Sequence, residues 1–412
     1  RYDTGHGSHV AGVIAATNNN GVGISSIAGG NASEPGVKIM SCQIFSGANA
    51  GTVLEEVRAI KYAADNGAVI LQCSWGYISG AANPYDWTPQ FSTDEEWESY
   101  NILEKNALDY FTHNAGSPDG VIEGGLAIFA GGNESAPAAS YPGAYPDYIA
   151  VAATAGDFTP AVYSNYGPGT TISAPGGDQD YYWDYADEIY PVGAVGCILS
   201  TMPFHVSPSG YGYMEGTSMA CPHVSGVAAL ALAHSLNIGK KLTAIDLRNI
   251  LLGSTHDIDR YCVGTKSSQN GNSVVTLELS KYKGRMGVGY IDAFKTLMNV
   301  QGTPCITVRL GSRQNVDLTA ALGGNPASLT FVDGGLTMSQ SARTKLGVEG
   351  DVSITATGKL SIKCTKPGSV VLKISYIAGG NAEGTDEATG GMAVTREVAI
   401  LSRGFATNGG WL

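Results

Sequence analysis

The chain has 412 residues, of which 43% are hydrophobic and only 15% charged, and its formal net charge is −12. A chain of this length predicts two or three domains, each with enough apolar residues for a sizeable core. The acidic balance and the absence of a basic stripe argue against a nucleic-acid partner, and because no apolar run approaches the length of a bilayer we expect no membrane span.

The first predicted element is a helix over GHGSHVAGVIAAT, residues 5–17. Its residues are mostly small or apolar, which is typical of a helix buried in a core. His6 stands at the head of this helix, where an imidazole can act as a general base, and His9 lies one turn further on. Asp3 precedes His6 by only three residues, so its carboxylate cannot easily bind one imidazole nitrogen of His6 while the other stays open to a serine. We therefore interpret Asp3 as a loop residue.

Strands and helices alternate through the next part of the chain. Thr52 and Glu55 form a capping-box pattern that begins an amphipathic helix, and Gly67 ends it. Short apolar runs on either side predict strands. The runs are 37–44, 68–73, 126–130 and 148–153. This alternation predicts an α/β fold, a parallel sheet with helices on both faces. In such a sheet the loops after the strands build the site, and these loops contain Ser74–Gly76 and Asn133.

The connection between Trp75 and Asn133 is rich in aromatic residues. They are Tyr77, Tyr85, Trp87, Phe91, Trp97 and Tyr100. Two interpretations stand side by side: the rings border a cleft and shape its selectivity, or they pack the connection onto the body of the domain.

An acidic segment, residues 176–190, follows the predicted sheet strands. Asp178, Asp180 and Asp184 are its candidate metal ligands, because clustered carboxylates can bind structural Ca²⁺. Their spacing matches no EF-hand loop, and the alternative is a solvated acidic loop.

The run GTSMACPHVSG, Gly216 to Gly226, begins a second buried helix and places Ser218 at its mouth. Pro222 is expected in the first turn, where a missing N–H costs no hydrogen bond. The free N–H groups and the positive dipole end of the helix then point at the serine. An oxyanion formed by attack of Ser218 would lie where these donors are strongest.

Other reactive groups near Ser218 have plainer interpretations. Cys221 lies in the buried helix and is interpreted as a small core residue rather than a catalytic thiol. His9 and His223 are expected to satisfy backbone groups. Met219 predicts oxidant-sensitive activity if its sulfur is accessible.

Beyond Gln301, short β-branched or alternating runs replace the helical periodicity. They are 305–310, 328–332, 351–357, 359–364, 369–377 and 392–401. We therefore predict two domains, residues 1–302 and a β-sandwich-like domain at 303–412 of unknown role. The seven cysteines show no metal-binding spacing and leave at least one unpaired, and Cys305 and Cys364 are the candidate pair of the second domain.

Three segments, GHGSHVAG, FAGGNES and GTSMACPHVSG, resemble in this order the signature segments of the subtilisin-like serine peptidases, and the similarity extends to about Asn299. The resemblance implies that His6 is the general base, Asn133 the side-chain oxyanion donor and Ser218 the nucleophile. It also implies substrate-binding residues. These are Ser74, Trp75 and Gly76, which pair with an extended substrate, and Ala130, Gly131 and Gly132, which form a pocket wall.

The family order is Asp, His, Ser, and its Asp lies well upstream of the histidine. Only five residues precede His6. The simplest expectation is that a segment with this Asp, one sheet strand and a leader is missing from the sequence. We thus expect a secreted or envelope-located serine endopeptidase, acting on protein or peptide substrates and needing no cofactor for its chemistry. The alternatives are a catalytically silent scaffold that binds proteins and an inactive fragment of an active enzyme.

Overall fold

The computed structural model describes residues 4–46, 49–78, 90–116, 120–179, 196–270, 273–322, 329–378 and 392–404. The chain divides into two compact units, one ending at Thr296 and one beginning at Leu297. The predicted domain boundary, after residue 302, lies just beyond the helix in which this division falls.

The described part of the first unit contains the predicted helices near His6, Thr52 and Ser218, together with further helices. They are α1 (His6–Ala15), α2 (Val53–Asp65), α3 (Asp94–Tyr100), α4 (Ile102–Asn114), α5 (Thr217–Asn237) and α6 (Ala244–Leu252), and α7 (Ala293–Gln301) spans the division. The predicted capping box of α2 is confirmed, since Thr52 Oγ1 accepts from Glu55 N and Glu55 Oε2 accepts from Thr52 N.

Fourteen strands are described in the first unit. They are β1 (Phe45–Ser46), β2 (Asn49–Ala50), β3 (Ile70–Cys73), β4 (Ile122–Glu123), β5 (Leu126–Ala130), β6 (Ile149–Thr154), β7 (Ile172–Pro175), β8 (Ile198–Thr201), β9 (Tyr211–Met214), β10 (Leu242–Thr243), β11 (Thr255–His256), β12 (Thr265–Asn270), β13 (Ser273–Glu278) and β14 (Tyr290–Ile291). The main sheet has the order β11-β14-β7-β6-β5-β3 and is parallel except for β11.

Helices cover both faces of this sheet. On one face, α2 and α4 enclose an apolar cluster with Cys73 of β3 and Phe129 of β5. On the other face, α5 packs against β3, β5, β6 and β7, and α1 packs against α5. The strands β5 and β6 are buried along their whole length, as expected for a sheet covered on both sides. The predicted α/β class is confirmed.

The run 37–44, predicted as a buried strand, forms no strand. Val37, Ile39 and Met40 are between 37% and 47% exposed. The prediction was wrong because an apolar β-branched run becomes a strand only where a neighbour satisfies its backbone groups. Among the described strands, β3 ends the main sheet and pairs only with β5.

Helix α5 has no polar face, and 14 of its 21 residues are buried. Contrary to the expectation that no apolar run reaches the length of a bilayer, α5 is long and apolar enough to cross one. Its position against four strands accounts for this composition, since a helix enclosed by protein needs no polar side.

The second unit is β-rich. Its elements are β15 (Cys305–Arg309), β16 (Arg313–Asp317), α8 (Leu318–Ala321), β17 (Leu329–Thr337), α9 (Gln340–Leu346), β18 (Ser353–Ile354), β19 (Lys359–Lys363), β20 (Gly368–Ala378) and β21 (Met392–Arg403). One sheet has the order β15-β21-β20-β17 and the other β16-β19-β18. Both contribute to a single apolar core, for example with Ile362 from the smaller sheet and Ile374 and Ile400 from the larger.

The candidate pair Cys305 and Cys364 does not form a disulfide. Cys305 begins β15, opposite Ala399, whereas Cys364 bridges to Leu310 beyond the other end of that strand. Five residues of extended chain span about 16 Å, far beyond the reach of a disulfide.

Candidate active site

The backbone at the start of α5 is fixed by groups from other segments. Gly216 N donates to Gly176 O at 3.0 Å and to the Tyr163 hydroxyl at 2.9 Å. Gly216 has φ 137°, a conformation that a residue with a side chain rarely adopts. The helix begins at Thr217, so Ser218 lies in its first turn, as predicted.

Asn133 follows β5 and is tied to the same helix start. Its Oδ1 accepts from Thr217 N at 2.8 Å and from Thr217 Oγ1 at 2.9 Å. These two bonds fix the orientation of the amide. Within the described part of the chain, Nδ2 has no hydrogen-bond partner, so Asn133 retains a donor for another acceptor.

The Asn133 amide and the backbone N–H of Ser218 border the same small space. A Cβ built on Gly216 would lie 3.6 Å from Ser218 N and 3.8 Å from both Nδ2 and Oδ1 of Asn133, of which Oδ1 is already bonded to Thr217. Two donors this close to one point can share a single acceptor atom, which is the arrangement that stabilises an oxyanion. The structure therefore brings Asn133 and Ser218 together.

Ser74 lies directly after β3, beside Ser218. Ser218 Oγ donates to Ser74 O at 3.3 Å, and Ser74 Oγ donates to Ser218 O at 2.7 Å. The next two residues, Trp75 and Gly76, continue this segment: the Trp75 ring meets Phe129 edge-on, and a Cβ on Gly76 would lie 2.9 Å from Tyr141 O.

The segment Ala130–Gly132 continues β5 into the loop that carries Asn133. Gly131 N donates to Val151 O at 2.9 Å, and Ser140 N donates to Gly131 O at 2.8 Å. A side chain at Gly132 would collide with Asn165 and Ser140, so glycine is required there.

His6 is half-buried at the start of α1, and burial lowers its pKa. A lower pKa keeps the imidazole neutral at neutral pH, the form that can accept a proton. Across the described residues, no hydrogen bond joins the imidazole of His6 to Ser218 or to a carboxylate. The predicted hydrogen bond between His6 and Ser218 is thus not formed in the described part of the chain, and Asp3 lies outside it.

The other histidines of the signature segments bind backbone carbonyls, as expected. His9 Nε2 lies 2.9 Å from Ile198 O, and His223 Nδ1 lies 2.7 Å from Met219 O. Burial lowers the pKa of His223 to about 4. Both side chains are thereby anchored rather than poised for proton transfer.

Burial raises the pKa of the Cys221 thiol to about 12, which agrees with its interpretation as a core residue. Met219 is 1% exposed, so the accessibility required for the predicted oxidant sensitivity is not present.

Asp178, one of the candidate calcium ligands, is fully buried and occupied by other partners. Its Oδ2 accepts from Lys266 Nζ at 2.7 Å and from Val162 N at 3.0 Å. Asp180 and Asp184 lie outside the described residues. The described part of the chain contains no group of three His, Cys, Asp or Glu side chains placed to hold a metal ion.

Two anchoring residues escaped the sequence analysis. Asn165 accepts from Glu134 N and Ala136 N through Oδ1, and so holds the loop that carries Asn133. Tyr163 holds Gly216 through its hydroxyl. Both residues lie in the connection between β6 and β7, where nothing in the local sequence indicates which side chains point at the site.

In the aromatic connection, the described rings of Tyr77, Phe91 and Trp97 pack onto the domain, whereas Tyr100 is 75% exposed. Trp97 is fully buried and stacks on Tyr141 at 5.8 Å between ring centroids, while Phe91 meets Tyr77 edge-on. This favours the packing interpretation for these rings. Tyr85 and Trp87 lie outside the described residues.

The parallel sheet, the serine at the mouth of a buried helix and the adjacent amide donor define the architecture of a serine peptidase. The model of the subtilase family (Peptidase_S8) matches residues 1–289, and the chain belongs to this family.

The chain is similar in sequence to known proteases over part of their length. The chain is 29% identical over 232 residues to the thermophilic serine proteinase of Bacillus sp. strain AK1, covering 56% of this chain and 43% of the relative. It is 32% identical over 261 residues to the extracellular basic protease of Dichelobacter nodosus, covering 62% of this chain and 36% of the relative. The matches thus span less than half of each of these two relatives.

Among solved structures, the epidermin leader peptide processing serine protease of Staphylococcus aureus matches with 22% identity and a TM-score of 0.48. This match covers 72% of the present chain and 63% of that structure.

Proposed function

We propose that this protein is a serine endopeptidase that hydrolyses peptide bonds of protein substrates through an acyl-enzyme, with Ser218 as nucleophile. The observation that carries the proposal is that Ser218 N and Asn133 Nδ2 both lie within 4 Å of the Cβ position of Gly216, while Asn133 Oδ1 is held by Thr217. Membership of the subtilase family supports the reaction class, and the two donors support the choice of Ser218 as nucleophile.

In the proposed reaction, His6 takes the proton of Ser218 Oγ as this oxygen attacks the substrate carbonyl carbon. The carbonyl oxygen becomes an oxyanion held by Asn133 Nδ2 and Ser218 N. His6 then gives the proton to the leaving amine. Water hydrolyses the resulting ester and regenerates the hydroxyl.

For substrate binding we propose an extended peptide that adds to the segment Ser74–Gly76, with the side chain before the cleaved bond against Ala130–Gly132. The support is the position of both segments at the carboxyl ends of the neighbouring parallel strands β3 and β5, with Ser74 in contact with Ser218. Backbone pairing of this kind suits unfolded segments of many sequences.

The acid that orients His6 is proposed to lie on a strand outside the described residues. Beside β3 the described sheet has no further strand, and the apolar run 37–44 is exposed instead of paired. A strand added parallel to β3 would end at the same edge as Ser74, which contacts Ser218. A carboxylate at that strand end could hold the imidazole of His6.

We propose that the protein acts outside the cytoplasm, in the medium or the cell envelope. Support comes from relatives, one of which is named an extracellular protease.

The test is proteolysis by the full-length gene product, with an unfolded protein as substrate and mass spectrometry of the products. Ser218→Ala should abolish cleavage, while Ser209→Ala, which removes an exposed hydroxyl between β8 and β9, should leave it unchanged. Absence of cleavage by the wild-type protein would contradict the proposal and favour the silent scaffold. Equal cleavage by Ser218→Ala would exclude Ser218 as the nucleophile.

A further inference from the structure

The carbonyl of Ser218 lacks its normal partner in the helix. In an α-helix the C=O of residue 218 accepts from the N–H of residue 222, but that residue is Pro222, the sixth residue of α5. The prediction that Pro222 lies in the first turn was wrong. A proline beyond the first turn removes one hydrogen bond, and its ring pushes against the carbonyl four residues earlier.

A side chain from the sheet replaces the lost donor. Ser74 Oγ donates to Ser218 O at 2.7 Å. Ser74 Oγ in turn lies 2.7 Å from Gln72 Nε2, and the same nitrogen lies 3.4 Å from the buried Cys221 Sγ. The two hydrogens of the Gln72 amide are therefore directed at Ser74 and Cys221.

The direction of this chain of hydrogen bonds follows from its end groups. A carbonyl can only accept, so the single hydrogen of Ser74 Oγ must point at Ser218 O. Ser74 Oγ must then accept from its other neighbour. The amide nitrogen of Gln72 is a pure donor and enforces this direction.

We infer that Gln72 is a positioning residue for the nucleophile: by donating to Ser74, it holds the Ser74 hydroxyl on the Ser218 carbonyl that Pro222 leaves without a helical partner. This inference rests on the proposed function. Gln72 touches no reacting atom and acts through Ser74, which fixes the peptide unit whose Cα carries the attacking hydroxyl. Displacements of about 1 Å at a reacting group can cost 10²-fold in rate.

Gln72→Glu is the decisive variant, because it keeps the size of the side chain and reverses the hydrogen bond when the introduced carboxyl group is ionised. The Ser74 hydroxyl then donates to this carboxylate and leaves Ser218 O. When the introduced carboxyl group is protonated, its O–H can donate to Ser74 and restore the original direction.

Gln314→Glu is the matched control. Gln314 Nε2 donates to Ser312 Oγ at 2.8 Å, the same kind of bond at the same sequence separation, but in the second unit.

The experiment measures covalent labelling by a fluorophosphonate, and the unfolding temperature, for wild type, Gln72→Glu, Ser74→Ala and Gln314→Glu in the full-length protein. We expect Gln72→Glu to lower the maximal labelling rate about 10- to 100-fold at pH 8 with little change in reagent affinity. The ratio of variant to wild-type rate should rise as the pH falls and the introduced carboxylate is protonated. Gln314→Glu should label like wild type.

Double substitution of Gln72 and Ser74 should cost no more than Ser74→Ala alone, because both changes break one chain of bonds. The inference would be overturned if Gln72→Glu were labelled as fast as a labelled wild type. It would also be overturned if the labelling rate of Gln72→Glu were reduced by the same factor at every pH. Either result would leave the proposed function standing. A wild type that fails to label would overturn both.

Discussion

The Ser218 side and the His6 side of the candidate site differ in how many of their functional groups are held by hydrogen bonds from described residues. Around Ser218, the helix start, the nearby amide and the backbone carbonyl are each held by a named partner: Tyr163, Thr217 and Ser74. Around His6, the backbone of α1 is tied to β8, for example by Thr201 Oγ1 at 2.8 Å from Ser8 O. The imidazole itself has no hydrogen bond to any described residue.

Ser218 and Asn133, the proposed nucleophile and oxyanion donor, are thus oriented by contacts with described residues, whereas the imidazole of His6, the proposed base, is not. We therefore expect substitutions near Ser218 to change activity or stability in ways that follow from the contacts described above.

Apart from removal of the Ser218 hydroxyl itself, the largest effect on the serine side is expected from Asn133→Asp. An aspartate keeps an oxygen for Thr217 N and Thr217 Oγ1 but has no N–H₂ to donate to the oxyanion. Proteolysis should fall about 10²- to 10³-fold in kcat, the range known for such a donor in a related enzyme. An unchanged kcat at unchanged unfolding temperature would remove Asn133 from the oxyanion site.

The next largest effect is expected at Glu104, a buried carboxyl group that contacts Tyr77, the residue after the segment Ser74–Gly76. Glu104 Oε2 accepts from Trp97 Nε1 at 3.1 Å and from the Tyr77 hydroxyl at 3.2 Å. Burial, with a smaller contribution from Glu56, raises the pKa of Glu104 to about 7. Because the folded state binds this proton more tightly than the unfolded state, stability should fall as the pH rises from about 4.5 to about 7, and stay at the lower level above.

Glu104→Gln tests this pH dependence. The variant should exceed wild type in free energy of unfolding by up to about 3 kcal/mol at pH 8 and should match it near pH 4. Urea unfolding of the two proteins at both pH values measures the difference. A difference that does not change with pH would show that Glu104 does not titrate in this window.

A smaller effect is expected at the helix start. Gly216→Ala places a side chain at φ 137°, which should cost about 1–3 kcal/mol of stability. The added methyl group would also stand between Ser218 N and Asn133 Nδ2, so labelling by a fluorophosphonate should slow. Gly239→Ala is the control, because Gly239 also has positive φ but has open space around its Cβ position. Equal loss of labelling in both variants would contradict a specific role for Gly216.

The smallest effect is expected from peroxide. Met219 is 1% exposed while Met40 is 38% exposed, so mild oxidation should modify Met40 first and leave activity unchanged. Peptide mass spectrometry with an activity assay measures this order. Loss of activity in step with sulfoxide at Met219 would show that the helix start opens more readily than its contacts indicate.

The sequence predicted the elements whose signals are local. The apolar composition of α5 and the glycine before Ser218 indicate a buried helix with the serine at its mouth, and Thr52 with Glu55 marks the start of α2. The same signals predicted the parallel strands β3, β5 and β6, since each is a short apolar run.

The failures lie where a residue's role depends on partners far away in the chain. The run 37–44 has strand-like residues, but strand formation needs a neighbour. Gln72 contacts Cys221 across 149 residues, and no local pattern marks it as part of the site. Pro222 was predicted in the first turn because no local pattern shows that another hydroxyl replaces the hydrogen bond that the proline removes. That hydroxyl belongs to Ser74, which is 144 residues from Ser218.

The central claim is that Ser218 is an activated nucleophile whose proton is taken by His6. The most direct measurement is fluorophosphonate labelling of the full-length protein, in which Ser218 Oγ bonds to phosphorus, fluoride leaves and the hydroxyl proton passes to the base. The account predicts rapid labelling of wild type at Ser218, none for Ser218→Ala and a loss of at least about 10²-fold for His6→Ala. Labelling of His6→Ala at the wild-type rate would contradict the claim. Labelling of Ser218→Ala at another residue of this site would also contradict it.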